Sequence, residues 1–164
     1  MSHRVKVSFE QVSRDANYLQ VRLAADKGPL NTRNYQIGLE AIPISDDATF
    51  FHLIYANSYG LSGRLAIQAY LGTLGSQKVG FTVTGSRSDG KPCHIGGLRG
   101  MVERNSMRYF LAIEAYLGAL SEPPAAQIEK RLHDWFASAE QYPRQLRAME
   151  WQEYLNMKRT EVAR

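Results

Sequence analysis

An acidic side chain within an apolar stretch is the first candidate for chemistry. Glu114 interrupts the segment "LAIEAYLGAL" at 111–120, and burial there would raise the pKa of its carboxyl unless a cation paired with it. Arg99, Arg104 or Arg108 could supply that cation. Glu114 would then orient a ligand or transfer a proton, although a structural ion pair or an exposed turn of helix is the more frequent reason for such a residue.

A histidine in a predicted strand is the second candidate. His52 lies between Phe51 and Leu53, and a pKa near neutrality would suit it to general-base catalysis. With Tyr55 and Glu114 it could form the acid–base set of an enzyme, whereas a hydrogen-bonded, half-buried histidine is more common. The histidines and the single cysteine lack metal-ligand spacing, and no P-loop or G-x-S-x-G motif occurs. We therefore predict no metal, no cofactor and no assigned catalytic residue.

A ten-residue segment occurs almost twice in the chain. "LAIQAYLGTL" at 65–74 and "LAIEAYLGAL" at 111–120 first differ at Gln68 and Glu114. Because different sequences surround the two copies, we interpret them as separate helices with the same kind of apolar stripe, rather than as a duplicated half. The stripes are Ile67, Tyr70, Leu71 and Leu74 in the first copy, and Ile113, Tyr116, Leu117 and Leu120 in the second.

Alternating apolar residues predict strands in the first third of the chain. Joined by short turns, they form an antiparallel meander over residues 5–9, 18–23, 35–44 and 49–60. The last of these strands is apolar on both faces, so we expect it to be central.

A change of period after residue 60 predicts a helix at 61–74, ended by Gly75. Strands then return at 78–86 and at about 93–103, around an Asp-Gly turn. We interpret the glycines of the second strand as bends. Those glycines are Gly96, Gly97 and Gly100.

The remainder of the chain is predicted to be helical. A helix capped by Asn105 or Ser106 covers the second copy of the repeated segment. A long amphipathic helix follows at about 125–141, and Pro143 ends it. A final charged segment, about 144–160, docks on the domain or contacts a partner. The fold class is therefore α+β, with one domain over residues 1–164.

Composition limits the classes of protein to be considered. With 44% hydrophobic and 22% charged residues, the 164-residue chain is that of a folded protein, and one cysteine permits no internal disulfide. We see no signal peptide or membrane-spanning run, so the cytoplasm is the default expectation. Seven cations and only two acids lie in residues 61–110, which is typical of a solvated face or of a site for an anionic partner. The cations are Arg64, Lys78, Arg87, Lys91, Arg99, Arg104 and Arg108.

The order of the elements resembles the START-like helix-grip (SRPBCC) superfamily. The resemblance rests on "YLQVRL", "YQIGLEAIPI", "TFFHLIYANSYG", "KVGFTVTGS", "GGLRGMVER" and "AAQIEKRLHDWFASAEQ", and it extends to a bacterial branch of that superfamily. It implies a curved antiparallel sheet packed on a long C-terminal helix around an apolar cavity. The helix at 61–74 is an addition between strands. Nothing before Val5 supplies the usual first elements, so either the chain is a truncated form or a partner completes the sheet.

This resemblance implies a non-catalytic binding protein for a hydrophobic, lipid-like or aromatic ligand in a sheet–helix cavity. A fully packed core is the alternative for the same residues. The expected lining is Tyr35, Ile37, Leu39, Phe51, Leu53, Tyr55, Glu114, Leu132, Trp135 and Phe136.

Two further functions stay open. One is an enzyme of polyketide cyclase or hydrolase type, and the other is a module that binds RNA or protein through the basic residues. No aromatic platform accompanies those cations, so we do not expect nucleic acid as a partner. Self-association into a homodimer also stays open.

Overall fold

The structure is a computed structural model that describes residues 5–28, 32–73 and 75–162. The described chain is mixed α+β, as predicted, with a four-stranded antiparallel sheet, a two-stranded sheet and four helices. It divides into two compact units, Met1–Ser76 and Gln77–Arg164. The expectation of a single domain stays a prediction, because a compact unit need not fold independently.

The first unit is built on the predicted meander. Its strands are β1 (Ser8–Arg14), β2 (Leu19–Lys27), β3 (Thr32–Ser45) and β4 (Ala48–Tyr59), in the spatial order β1-β2-β3-β4. Strand β1 therefore begins three residues later than expected. The central position predicted for β4 is wrong, because among the described strands it pairs only with β3.

The register of β3 and β4 gives the sheet two chemically different faces. Ile37 lies opposite Tyr55 and Leu39 opposite Leu53 on one face, which we call the tyrosine face. Side chains alternate along a strand, so Glu40 and His52 lie opposite each other on the other face, the histidine face. On that face Phe50 and Ile54 are about half exposed, and this explains why apolar alternation alone misplaced β4 in the centre.

A helix follows the sheet, as predicted. Helix α1 (Leu61–Gly72) buries Ile67. Beyond its end the Gly75 N–H donates to the Tyr70 carbonyl at 2.8 Å, and a Cβ at Gly75 would lie only 2.7 Å from the Tyr70 ring. Gly75 thus closes the helix, and Leu74 of the predicted stripe lies outside the described residues.

The second unit begins with a hairpin. Strands β5 (Val83–Ser86) and β6 (Pro92–His94) are antiparallel, and Gly90 has a φ of 77° in the predicted Asp-Gly turn. Both strands are shorter than expected.

The expected strand over 93–103 is wrong, because helix α2 (Gly97–Gly118) begins within it. Gly96, rather than Asn105 or Ser106, is the residue before the first turn. Gly100 does not bend a strand but allows α2 to pack closely against the backbone of Gly80 and Ile95. A Cβ on Gly100 would lie 2.9 Å from the Gly80 nitrogen and 2.8 Å from the Ile95 carbonyl oxygen.

Glu103 of α2 holds the segment that precedes β5. Its carboxylate accepts the N–H groups of Phe81 and Thr82 at 2.8 and 3.0 Å, the Thr82 hydroxyl at 2.7 Å and Arg99 Nε at 3.2 Å. Burial raises the pKa of Glu103, but the hydrogen bonds outweigh burial and bring it down to about 2. Phe81 and Thr82 belong to the strand predicted at 78–86, but they precede β5 and donate their N–H groups to Glu103 instead.

Helices α3 (Pro124–Glu140) and α4 (Trp151–Val162) complete the second unit. The predicted stop at Pro143 is confirmed, because residues 142–146 form turns in which the Leu146 N–H donates to the Tyr142 carbonyl at 2.7 Å. Leu111, Ala139 and Leu146 form the buried core of this unit. None of the described helices is long and apolar enough to cross a membrane.

Candidate functional site

The sequence-predicted residues of the sheet do come together on the tyrosine face. The Tyr35 and Tyr55 rings meet edge to face at 6.1 Å, the Thr32 hydroxyl donates to the Tyr35 hydroxyl at 3.0 Å, and Asn57 donates to that of Tyr55 at 2.8 Å. Their remaining neighbours on this face are half-buried. These neighbours are Ile37, Leu39, Phe51 and Leu53.

The histidine face carries a hydrogen-bonded cluster that centres on Glu40. One carboxylate oxygen contacts His52 Nδ1 at 2.8 Å, and the other accepts the Tyr18 hydroxyl at 2.9 Å and the Gln20 amide at 3.0 Å. The hydrogen bond from His52, followed by that from Tyr18, lowers the pKa of Glu40, and Glu40 in turn raises the pKa of Tyr18. Tyr18 therefore keeps its proton at neutral pH.

This geometry restricts the enzyme hypothesis. His52 and Tyr55 point to opposite faces of β4, so the two cannot act on one substrate. His52 contacts Glu40 instead, a partner that we did not predict. A regular β3–β4 hairpin would not have revealed this partner, because an irregularity between Pro43 and Ser45 shifts the register. Among the described residues no group of three His, Cys, Asp or Glu side chains could hold a metal ion.

Three predicted residues line a cavity of about 520 Å³ within the second unit. Leu132, Trp135 and Phe136 enter it from α3. All of its lining residues belong to α2, α3, α4 and the turns between α3 and α4. The apolar and aromatic lining that the sequence did not predict comprises Tyr109, Ala112, Ala115, Ala139, Leu146, Ala148, Met149, Tyr154 and Met157.

An aromatic cluster forms one wall of this cavity. Trp135 and Tyr154 stack at 5.2 Å with an interplanar angle of 15°, and Phe136 lies 5.3 Å from Tyr154 and 5.0 Å from Trp151. Burial raises the pKa of the Tyr154 hydroxyl to about 12, so it stays neutral. The final segment therefore docks on the domain, one of the two alternatives that the sequence left open.

The charged residues of the lining are mostly cations. Arg131 lies 4.1 Å above the Tyr116 ring, and Lys158 pairs with Glu161 at 2.9 Å. Arg147 pairs with Glu140 at 3.5 Å and with Glu150 at 2.7 Å. The complete charged lining is Arg108, Arg131, Glu140, Arg147 and Lys158. Four cations and one acid line the cavity, and Glu150 and Glu161 outside the lining offset two of the cations. The small positive excess that remains favours a ligand with an anionic group.

Glu114 does not line this cavity. It is exposed on α2, in a shallow depression with Asp134, Ala137 and Ser138 of α3, and Gln68 at the matching position of α1 is exposed as well. The possibility of a buried Glu114 that pairs with an arginine does not fit this exposed position. An exposed turn of helix, the more frequent explanation, is what the structure shows.

The seven cations of residues 61–110 lie on several elements, and one of them, Arg104, is buried. Arg64 lies on α1, Arg87 and Lys91 flank the hairpin turn, and Arg99 pairs with Glu103. Lys78, Arg104 and Arg108 belong to the second unit, where both arginines lie on α2. The expectation that nucleic acid is not a partner stays a prediction.

No protein-family model, curated protein or solved structure matches the chain.

Proposed function

We propose that this chain is a non-catalytic binding protein for a hydrophobic, lipid-like or aromatic ligand. The observation that carries the proposal is the cavity of about 520 Å³ that contains the predicted residues Leu132, Trp135 and Phe136. Its volume lies within the range of about 300–1,000 Å³ that is usual for small-molecule sites. Its aromatic wall supplies apolar contact, and its cations suit an anionic group on the ligand.

The helix-grip arrangement of a curved sheet on a long C-terminal helix is part of the same proposal. The meander and the 17-residue α3 support it, whereas the last helix, α4, has only 12 residues. Self-association also stays a proposal. Leu61 and Leu65 of α1 support it, because both side chains are more than half exposed. Measurement of the mass in solution tests it, since a mass of one chain at all concentrations would contradict it.

Ligand binding can be tested with dodecanoate, because Trp135 and Trp151 report on the cavity wall by fluorescence. Ala112 is exposed and lies on the cavity lining, so Ala112→Phe should fill space there without disturbing the core. We expect this variant to bind dodecanoate at least tenfold more weakly. The matched control is Ala126→Phe, an exposed position of α3 outside the lining, which should bind as wild type.

Equal affinity of wild type and Ala112→Phe would show that the ligand does not occupy this cavity. Native mass spectrometry of the freshly purified protein is a complementary test, since a bound lipophilic molecule that Ala112→Phe loses would support the proposal.

A further inference from the structure

A buried arginine of α2 forms no ion pair within the described part of the chain. Arg104 is only 2% exposed, and among the described residues its Nη1 has no hydrogen-bond partner. None of the ion pairs found in residues 5–28, 32–73 and 75–162 includes Arg104. Arginine stays protonated in proteins, so it cannot escape the cost of burial by losing its proton. Such a group indicates that a negative partner belongs beside it.

Two more cations converge on the same region. Arg108 lies one helical turn after Arg104, on the same side of α2. Its Nη2 donates to the Leu146 carbonyl at 3.5 Å, and Lys78 Nζ donates to the adjacent Arg147 carbonyl. The two cationic groups therefore meet at neighbouring carbonyl groups.

The charges in this region are poorly balanced. Burial lowers the pKa of Lys78, and the positive charges of Arg108 and Arg104 lower it further. Glu140 is the acid that acts in the opposite direction, and it already pairs with Arg147. The positive charges of the arginines thus act against that of Lys78, and Glu140 offsets this only in part.

We propose that Lys78, Arg104 and Arg108 form a binding site for an oxyanion. A guanidinium group provides paired N–H donors for two oxygens of a phosphate or carboxylate, and lysine adds a mobile point charge. The oxyanion is either free phosphate or the anionic group of an amphipathic molecule. Arg108 also lines the cavity, so the second source would place the charged end of the ligand here, and only this source rests on the proposed function.

The central experiment measures thermal unfolding in phosphate and in chloride at equal ionic strength. We expect phosphate to raise the melting temperature saturably, because a ligand that binds only the folded state stabilises it. Arg104→Met should abolish this rise. Without phosphate, the variant should melt no lower than wild type, because it removes a buried charge that forms none of the ion pairs found among the described residues. Arg87→Met, on the exposed hairpin turn, is the matched control and should keep the full response.

Two results would overturn the site. One is an Arg104→Met variant that melts well below wild type yet retains the phosphate response, since Arg104 would then have only a structural role. The other is that Arg104→Met binds both phosphate and dodecanoate as strongly as wild type does. Should Arg104→Met fail to fold, Lys78→Gln must weaken phosphate binding at least tenfold, and Lys91→Gln on the turn must leave it unchanged.

Comparison of dodecanoate with dodecanol distinguishes the two sources. A preference for dodecanoate that Arg104→Met removes identifies the site as the receptor of a ligand's charged end. A phosphate response combined with equal binding of dodecanoate and dodecanol identifies free phosphate. If neither amphiphile binds but the phosphate response depends on Arg104, the proposed function fails while the oxyanion site stands.

Discussion

Glu103→Gln should cause a large electrostatic loss of stability. The carboxylate of Glu103 accepts four hydrogen bonds, from Phe81, Thr82 and Arg99, and its pKa falls from the usual 4.5 to about 2. At about 1.4 kcal/mol per pH unit, this difference corresponds to a stabilisation of roughly 3 kcal/mol. The side chain is only 21% exposed, so solvent screening removes little of it.

The sign of the pH dependence follows from the direction of the pKa change. Because the folded-state pKa is lower than that of the unfolded chain, the stabilisation is complete above about pH 5 and is lost as the pH falls from 4.5 towards 2. Glu103→Gln should lose most of it at pH 7, and its stability should fall less steeply in acid.

Urea unfolding followed by tryptophan fluorescence measures this effect, because Trp135 and Trp151 both lie in the second unit. Glu114→Gln is the matched control, since the same substitution at an exposed position of α2 should leave the unfolding midpoint unchanged. The reasoning is refuted if Glu103→Gln unfolds within about 0.5 kcal/mol of wild type at pH 7 and keeps the wild-type acid dependence.

Three further changes test other contacts. Leu146→Ala should lower the free energy of unfolding by about 2–5 kcal/mol in urea titrations, because Leu146 is only 2% exposed, and a loss below 1 kcal/mol would contradict its place in the core. Gly80→Ala should cost on the order of 1–3 kcal/mol by the same measurement, since its Cβ would lie 2.8 Å from Gly100 Cα; unchanged stability would contradict that close approach. His52→Ala should raise the pKa of Glu40 in NMR titrations, because the hydrogen bond from His52 is the main cause of its lowering, and an unchanged pKa would exclude that cause.

Local patterns were sufficient to predict most of the first unit. Alternation gave the four strands and their antiparallel order, because each strand pairs with the next in the chain and short turns connect them. The Glu40–His52 pair needed more information. With a regular hairpin closing at Ser45 and Ala48, Glu40 would lie opposite Leu53, but the irregularity between Pro43 and Ser45 shifts the register by one residue.

Long-range contacts explain the errors in the second unit. Gly100 looked like a bend within a strand, yet its purpose is visible only beside Gly80, which approaches it in the folded chain. Likewise Leu132, Trp135 and Phe136 were correctly assigned to an apolar stripe, but the sequence left open whether the final segment would dock on the domain or contact a partner. In the sequence Arg104 is one of seven cations, and only the fold shows that it is buried.

The position of β4 at the end of the strand order also affects how the protein resists aggregation. Natural edge strands are protected by charged residues, proline or short length. Strand β1 has seven residues, an irregularity between Gln11 and Ser13, and the charged side chains of Glu10 and Arg14. The 12-residue β4 contains no proline, lysine, arginine or acidic residue. Strand β4 is therefore less protected than β1. At high concentration, unwanted strand pairing between chains would begin at β4.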